Sequence, residues 1–315
     1  MRRAPEASTR GLGTEAHNSA STGLDTSSAL EIARVINAED AKVALAVEPA
    51  LPEIARAIDL IAAALERGGR LIYVGAGTSG RIAALDAAEC PPTFNTDPGM
   101  VQFVMAGGQK ALGAALEANE DSRALGRRDM AAKKPGRNDV VVGIAASGRT
   151  PYTIAALEYA RRQGAKTVAV TCNPGSALGR AADVAIVAEV GPEVLTGSTR
   201  MKAGTAQKMV LNMLSTGAMA RLGYVYGNLM INVHLKNRKL VQRGISILEN
   251  AAEVDEKRAR GALRSAGNRV PVALVMLRAG VSRRVAEDCL RLTKGHVRKA
   301  VVAALQKRTN GRGTK

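Results

Sequence analysis

Three segments of the chain put glycine beside hydroxyl side chains, a pattern suited to cradling an anion. Gly75-Ala-Gly-Thr-Ser-Gly80 follows a short apolar run and opens a helical stretch. Glycine lets backbone N–H groups come close to an anion. Thr78 and Ser79 add hydroxyl donors, and a helix N-terminus favours negative charge. The spacing of Gly75, Gly77 and Gly80 fits the dinucleotide pattern G-x-G-x-x-G, but no ribose-binding acid closes a second strand where that pattern needs one. Nor does the Gly-Lys-Ser/Thr of a P-loop follow. Ala146-Ser-Gly-Arg-Thr150 repeats the logic: Ser147, Gly148 and Thr150 offer donors and a flexible turn, and Pro151 fixes a helix start. A third cluster, Thr196 to Thr205, adds Ser198 and the cations Arg200 and Lys202, which would equally fit an ordinary charged surface. Together the loops point to one phosphorylated small molecule. A tight turn with no ligand is the plain alternative for the first of them.

Two acids stand out. Glu89, in Asp86-Ala-Ala-Glu-Cys-Pro-Pro92, falls between two and three turns beyond the first loop. Its place beside Cys90 and two prolines predicts partial burial, a setting in which a carboxyl group keeps its proton more readily. Glu120 follows 31 residues later. Two carboxyl groups near a bound sugar can run general acid/base chemistry when their environments differ; spacing alone also allows Glu120 to be a solvated acid. No histidine is placed to activate Cys90, which reads as a buried small residue.

The elements that must hold these groups follow from periodicity. Helical patterning runs from Ala29 to about Val47 and on to Leu65, with Ser27 or Ser28 as cap and Gly68-Gly69 as stop. Short apolar runs follow at 70–74, 101–105, 139–144, 167–171 and 184–187. Between them lie helical stretches: Arg81 to Glu89, ended by Pro91-Pro92; Gln109 to about Met130; Pro151 to Gln163. A last one spans Lys202 to Leu222. Strands alternating with helices predict βαβ units and an α/β fold with a parallel sheet covered on both faces. Such sheets bind ligands beyond the carboxyl ends of their strands, where the first two loops fall. The expected organisation is an extended arm at 1–26, a catalytic α/β domain at 27–249, a small domain of about three helices at 250–306, and a basic tail at 307–315.

Composition narrows the classes. The 315 residues include 2% aromatics and no Trp, so the core must be built from Ala, Val, Leu, Ile and Met. That argues against an antibody-like sandwich and against a stacking platform for single-stranded nucleic acid. The net charge of +17 first suggests a nucleic-acid partner, but residues 251–315 carry 16 Lys/Arg against 5 Asp/Glu, so the excess gathers in one basic face and tail. No apolar run reaches the ~18 residues a membrane helix needs, and no signal peptide opens the chain. Three unpaired-looking cysteines (Cys90, Cys172, Cys289) fit a reducing cytoplasm, and the scattered histidines offer no zinc site.

The loop GAGTSGR with LDAAECPPTF, VVVGIAASGRTPY, TCNPGS and EVLTGSTRMKAGTAQKMVLNMLSTG resembles the N-acetylmuramic acid 6-phosphate etherases, from Thr14-Glu15 to about Leu248. The broader likeness is to sugar-isomerase (SIS) phosphosugar-binding domains. The resemblance implies a five-stranded parallel sheet flanked by helices. It also implies a homodimer with no metal or cofactor, and a lyase that uses water to release D-lactate and N-acetylglucosamine 6-phosphate in amino sugar recycling or catabolism. It gives Glu89 the role of proton donor and matches Glu120 to the second active-site acid. It is silent on the basic tail. The alternative within the same likeness is a non-catalytic sugar-phosphate sensor of the glucokinase regulatory type. A sugar-phosphate isomerase is a further rival.

Overall fold

A computed structural model of the chain describes residues 11–114, 119–235 and 237–310. Contacts divide the described residues into two compact units: those within 11–87 and 99–215, and those within 88–98 and 216–310. This division falls inside the segment expected to form one domain at 27–249.

The first unit is α/β. Its elements in chain order are α1 (Ala29–Asp40), α2 (Val43–Val47), α3 (Leu51–Glu66), β1 (Leu71–Gly75), α4 (Gly77–Phe94), β2 (Val101–Met105), α5 (Arg123–Ala132), β3 (Val140–Ile144), α6 (Pro151–Arg162), β4 (Lys166–Thr171), α7 (Ala177–Ala181), β5 (Val184–Val187) and α8 (Lys202–Arg221). The last turns of α4 and α8 belong to the second unit. The five strands pair in parallel in the order β2-β1-β3-β4-β5. β1 and β3 are buried along their whole length, as continuous Val/Ile/Leu runs covered on both faces must be. The order reverses between β1 and β3, where Gly75 lies in register with Ile144. The loops leaving these neighbouring strands turn to opposite faces and open a crevice at their carboxyl ends.

Besides the ends of α4 and α8, the described residues of the second unit form a hairpin, β6 (Val225–Tyr226) and β7 (Leu229–Met230), and five helices: α9 (Arg238–Ala252), α10 (Glu256–Ser265), α11 (Val270–Ala279), α12 (Arg283–Leu292) and α13 (Val297–Asn310). Four of these helices lie beyond residue 252, where about three were expected. Gly267 and Gly280 close α10 and α11 as the sequence suggested, but the turn at Lys294-Gly295, with both residues at positive φ, separates α12 from α13 as well. The core joins Ile231 of the hairpin end with Leu248, Leu263, Leu274 and Ala300. Residues 216–249 therefore pack with the four helices beyond residue 252.

Other expectations change locally. The helical run expected over 29–47 breaks at Ala41–Lys42. Pro91 and Pro92 lie inside α4 rather than ending it; the helix closes with the Asn95 N–H donating to Pro91 O at 2.9 Å, Asn95 standing at φ 55°. The helix expected from Gln109 to Met130 is instead a 3-10 turn at Gly108–Leu112 and then α5, capped by Ser122, whose Oγ accepts from the Leu125 N–H; residues 115–118 lie outside the described ones. Described residues 11–26 of the arm form three 3-10 turns, with Thr14 and Asn18 buried.

Among the described residues no helix is long and apolar enough to cross a membrane. On α8, Leu214 and Met219 are fully buried, while Met209 and Met213 stay partly exposed.

Candidate functional site

A cavity of about 560 Å³, within the usual size range of small-molecule sites, opens at the crevice between β1 and β3. Gly77, Thr78 and Ser79 line it from the first loop, and Ser147 and Thr150 from the second. Both loops expected to hold an anion thus meet at one site.

The helix α4 begins at Gly77, so the N–H groups of its first turn have no partners within the helix. Gly77 adopts φ 53°, and a β-carbon there would stand 2.9 Å from Glu120 Oε1. The carboxylate of Glu120 therefore lies over the start of α4, where a β-carbon would force it to shift; the positive φ itself favours glycine. Glu120 itself sits in the irregular stretch before α5. Its carbonyl accepts from the Tyr152 N–H at 3.0 Å, which ties the acid to the first turn of α6.

Ser79 is buried, and its Oγ donates to Gln207 Oε1 at 2.9 Å. The Nε2 of Gln207, also buried, has no hydrogen-bond partner among the described residues. In the second loop, the Ser147 Oγ accepts from the Arg149 N–H at 3.2 Å. Gly148 does not line the cavity; it stands at φ 66° behind the loop, where a β-carbon would fall 2.4 Å from Ser176 Cβ. Thr150 occupies the N-cap of α6 without a side-chain capping bond and lines the cavity.

A buried carboxyl group fixes the angle of α4. Asp86 accepts from Tyr73 Oη (2.8 Å), Asn212 Nδ2 (2.8 Å) and Ser215 Oγ (3.1 Å), which joins α4 to β1 and α8. Burial pushes this carboxyl up from its ordinary pKa, against the lowering pull of those three donors.

The third expected cluster behaves differently. Gly197 and Thr199 line the cavity, whereas Ser198 and Lys202 do not. The N-terminus of α8 is closed from within: the N–H groups of Lys202 and Ala203 each donate to the buried Glu193 carboxylate at 2.9 Å. The Lys202 ammonium is buried as well and pairs with Glu39, which Lys42 also contacts. A cation spent on an internal carboxylate is not a phosphate clamp. Burial would raise the Glu39 pKa, but hydrogen bonds from Lys202, Lys42 and Asn18 outweigh it and hold the group down to about 2.

A depressed carboxylate stabilises the fold fully above its unfolded value of 4.5 and loses that contribution as pH falls toward about 2. The stability gap between wild type and Glu39→Gln, read from urea unfolding, should thus be complete near pH 6 and close through that window. An equal gap at about pH 2 and about pH 6 would show that Glu39 is not held ionised by these partners.

Glu89 belongs to the second unit, and its side chain on α4 is exposed rather than partly buried. Neighbouring Cys90 is buried, as are Cys172 and Cys289. Of the charged residues that line the cavity, the sequence singled out Glu120 but not Glu15, Arg81 or Asp121. Arg81 and Asp121 directly follow noted residues. Arg81 donates to the carbonyls of Leu112 (3.1 Å) and Ala114 (2.9 Å), steadying the wall opposite the second loop. No periodicity marked Glu15, because the arm has none.

The chain matches two family descriptions, "Glucokinase regulatory protein N-terminal SIS domain" over residues 53–161 and "SIS domain" over residues 126–217. An N-acetylmuramic acid 6-phosphate etherase of Symbiobacterium thermophilum is 60% identical over 86% of this chain and 90% of its own. One from Klebsiella aerogenes is 51% identical over 91% and 96%. Among solved structures, a phosphoheptose isomerase from Francisella tularensis is 21% identical over 62% of this chain and 98% of that one, with a TM-score of 0.47.

Proposed function

The chain belongs to the N-acetylmuramic acid 6-phosphate etherase family, and from that premise we propose that it is a carbon–oxygen lyase that cleaves the D-lactyl ether of N-acetylmuramic acid 6-phosphate. The observation that carries this reading is the meeting of both hydroxyl-rich loops with Glu120 in one cavity at the strand-order reversal.

The chemistry asks little beyond acid and base. An ether oxygen at C3 is a poor leaving group. In the ring-opened sugar the C1 aldehyde acidifies the C2 proton. Removing that proton lets the C3–O bond break, with the departing lactate oxygen taking up a proton. Water then adds across the resulting double bond, its oxygen to C3 and a proton to C2. The products are N-acetylglucosamine 6-phosphate and D-lactate. We assign Glu120 as the base at C2. Glu89 is the proton donor to the lactate oxygen, a role that rests on its match to the family motif. The homodimer rests on the resemblance alone. The direct test is release of D-lactate when purified protein meets N-acetylmuramic acid 6-phosphate; none at any enzyme concentration would sink the proposal.

The 6-phosphate is the main affinity handle in this reading, held by the first-turn N–H groups of α4 and by Ser79 and Ser147. Turning over the Gln207 amide would let Nε2 donate to Ser79 Oγ and release the hydroxyl hydrogen toward a phosphate oxygen. A hydrogen bond to a charged group contributes about 1.5–3 kcal/mol. Ser79→Ala and Ser147→Ala should each raise KM by about tenfold or more, and the unphosphorylated sugar should be turned over poorly. Equal turnover of the two sugars would refute the handle.

A further inference from the structure

We propose that Glu15 is a specificity residue, accepting a hydrogen bond from a hydroxyl or amide N–H on the carbon chain of the bound sugar phosphate. The proposal rests on the phosphosugar reading above.

The arm that carries Glu15 is fastened to the rim of the site. Thr14 is buried, and its Oγ1 accepts from Asn173 Nδ2 at 3.1 Å. The same Nδ2 donates to the carbonyl of Ala146, the residue before Ser147, also at 3.1 Å. Four residues on, Asn18 Nδ2 donates to Pro192 O (3.2 Å), and Ser21 Oγ donates to Val194 O (2.7 Å). Side-chain bonds thus hold a polar stretch that has no apolar face of its own. Between the anchors at Thr14 and Asn18, Glu15 is exposed and lines the cavity. Its Oε2 lies 3.5 Å from where a Gly197 β-carbon would stand, at the wall made by Gly197 and Thr199.

An ionised carboxylate accepts hydrogen bonds and donates none. It opposes a phosphate and attracts hydroxyl and amide N–H groups. Glu15 should therefore favour the sugar chain over the phosphate alone, an opposition that anchoring by itself would not produce. Removing a hydrogen bond to a charged group weakens binding by about tenfold or more.

The test compares N-acetylglucosamine 6-phosphate with inorganic phosphate by calorimetry on the full chain, in wild type, Glu15→Gln and Glu15→Ala. The expected result is a sugar-phosphate Kd raised about tenfold or more in Glu15→Ala, with the inorganic phosphate Kd unchanged or lowered. KM for N-acetylmuramic acid 6-phosphate should rise in parallel, with kcat within about threefold of wild type, the signature of lost uniform binding. Glu15→Gln, which keeps one acceptor oxygen, should fall between and share the wild-type thermal midpoint. If both ligands weaken equally, or the sugar-phosphate Kd does not move, the proposal is overturned. Should wild type bind the sugar phosphate but release no lactate, the etherase reading fails and the Kd ratio still decides Glu15. A wild type that binds no sugar phosphate overturns both.

Discussion

Glu120→Gln is expected to keep the sugar phosphate and lose D-lactate release by about 10²–10⁴-fold, the range over which a positioned general base acts. The amide is nearly the size of the carboxylate, so it should still fit over Gly77, where Oε1 lies 2.9 Å from the position a β-carbon would take. The Tyr152 N–H that holds the Glu120 carbonyl is untouched by the change. The C2 proton would then have no base, and exchange of that proton with solvent deuterium should slow with lactate release. This coupling separates the enzyme from a sensor built on the same loops: a sensor binds the sugar phosphate with no exchange, and Glu120→Gln changes nothing chemical. A variant that exchanges the C2 proton at the wild-type rate would remove Glu120 from the mechanism, whatever its effect on binding.

The reach of the sequence depends on what each element is made of. The five strands were legible because continuous apolar runs such as Leu71–Gly75 and Val140–Ile144 contrast with the helical period on either side. The loops after β1 and β3 were legible because glycine and hydroxyl residues gather where a parallel sheet places ligands. Lys202 was misleading: its sequence neighbours are the same whether the ammonium faces a ligand or pairs with Glu39, 163 positions away. Glu193, the residue that seals the start of α8, lies nine positions before it and showed no spacing that a capping motif would have. Glu15 was legible only as the start of the family likeness and not as a site residue, for a related reason. The arm is ordered by side-chain hydrogen bonds to distant carbonyls, and these leave no periodic trace. The 3-10 turn at Gly108–Leu112 and the cap at Ser122 were read through as helix because Ala, Leu and Glu around them favour helix anyway.

Glu89→Gln carries the other large expectation: a loss of lactate release by about 10²–10⁴-fold with KM little changed. Family resemblance gives Glu89 its role, and the fold sets a condition on it. The side chain is exposed on the late turns of α4, among residues of the second unit, so the chain by itself does not bury it and bound substrate must cover it before it donates. The turn that carries Glu89 is well defined, because Cys90 beside it is buried and the Asn95 N–H closes the helix onto Pro91. Glu89→Asp, one methylene shorter, should keep the proton but misplace it, and recover only part of the rate. If lactate leaves at the wild-type rate in Glu89→Gln, the proton comes from another acid. The cavity already contains two further candidates besides Glu120, namely Glu15 and Asp121. The double variant with Glu15→Gln would then test the first of them: an additional loss in kcat moves Glu15 from recognition to proton transfer, and an unchanged kcat leaves Glu120 and Asp121 to be tested the same way.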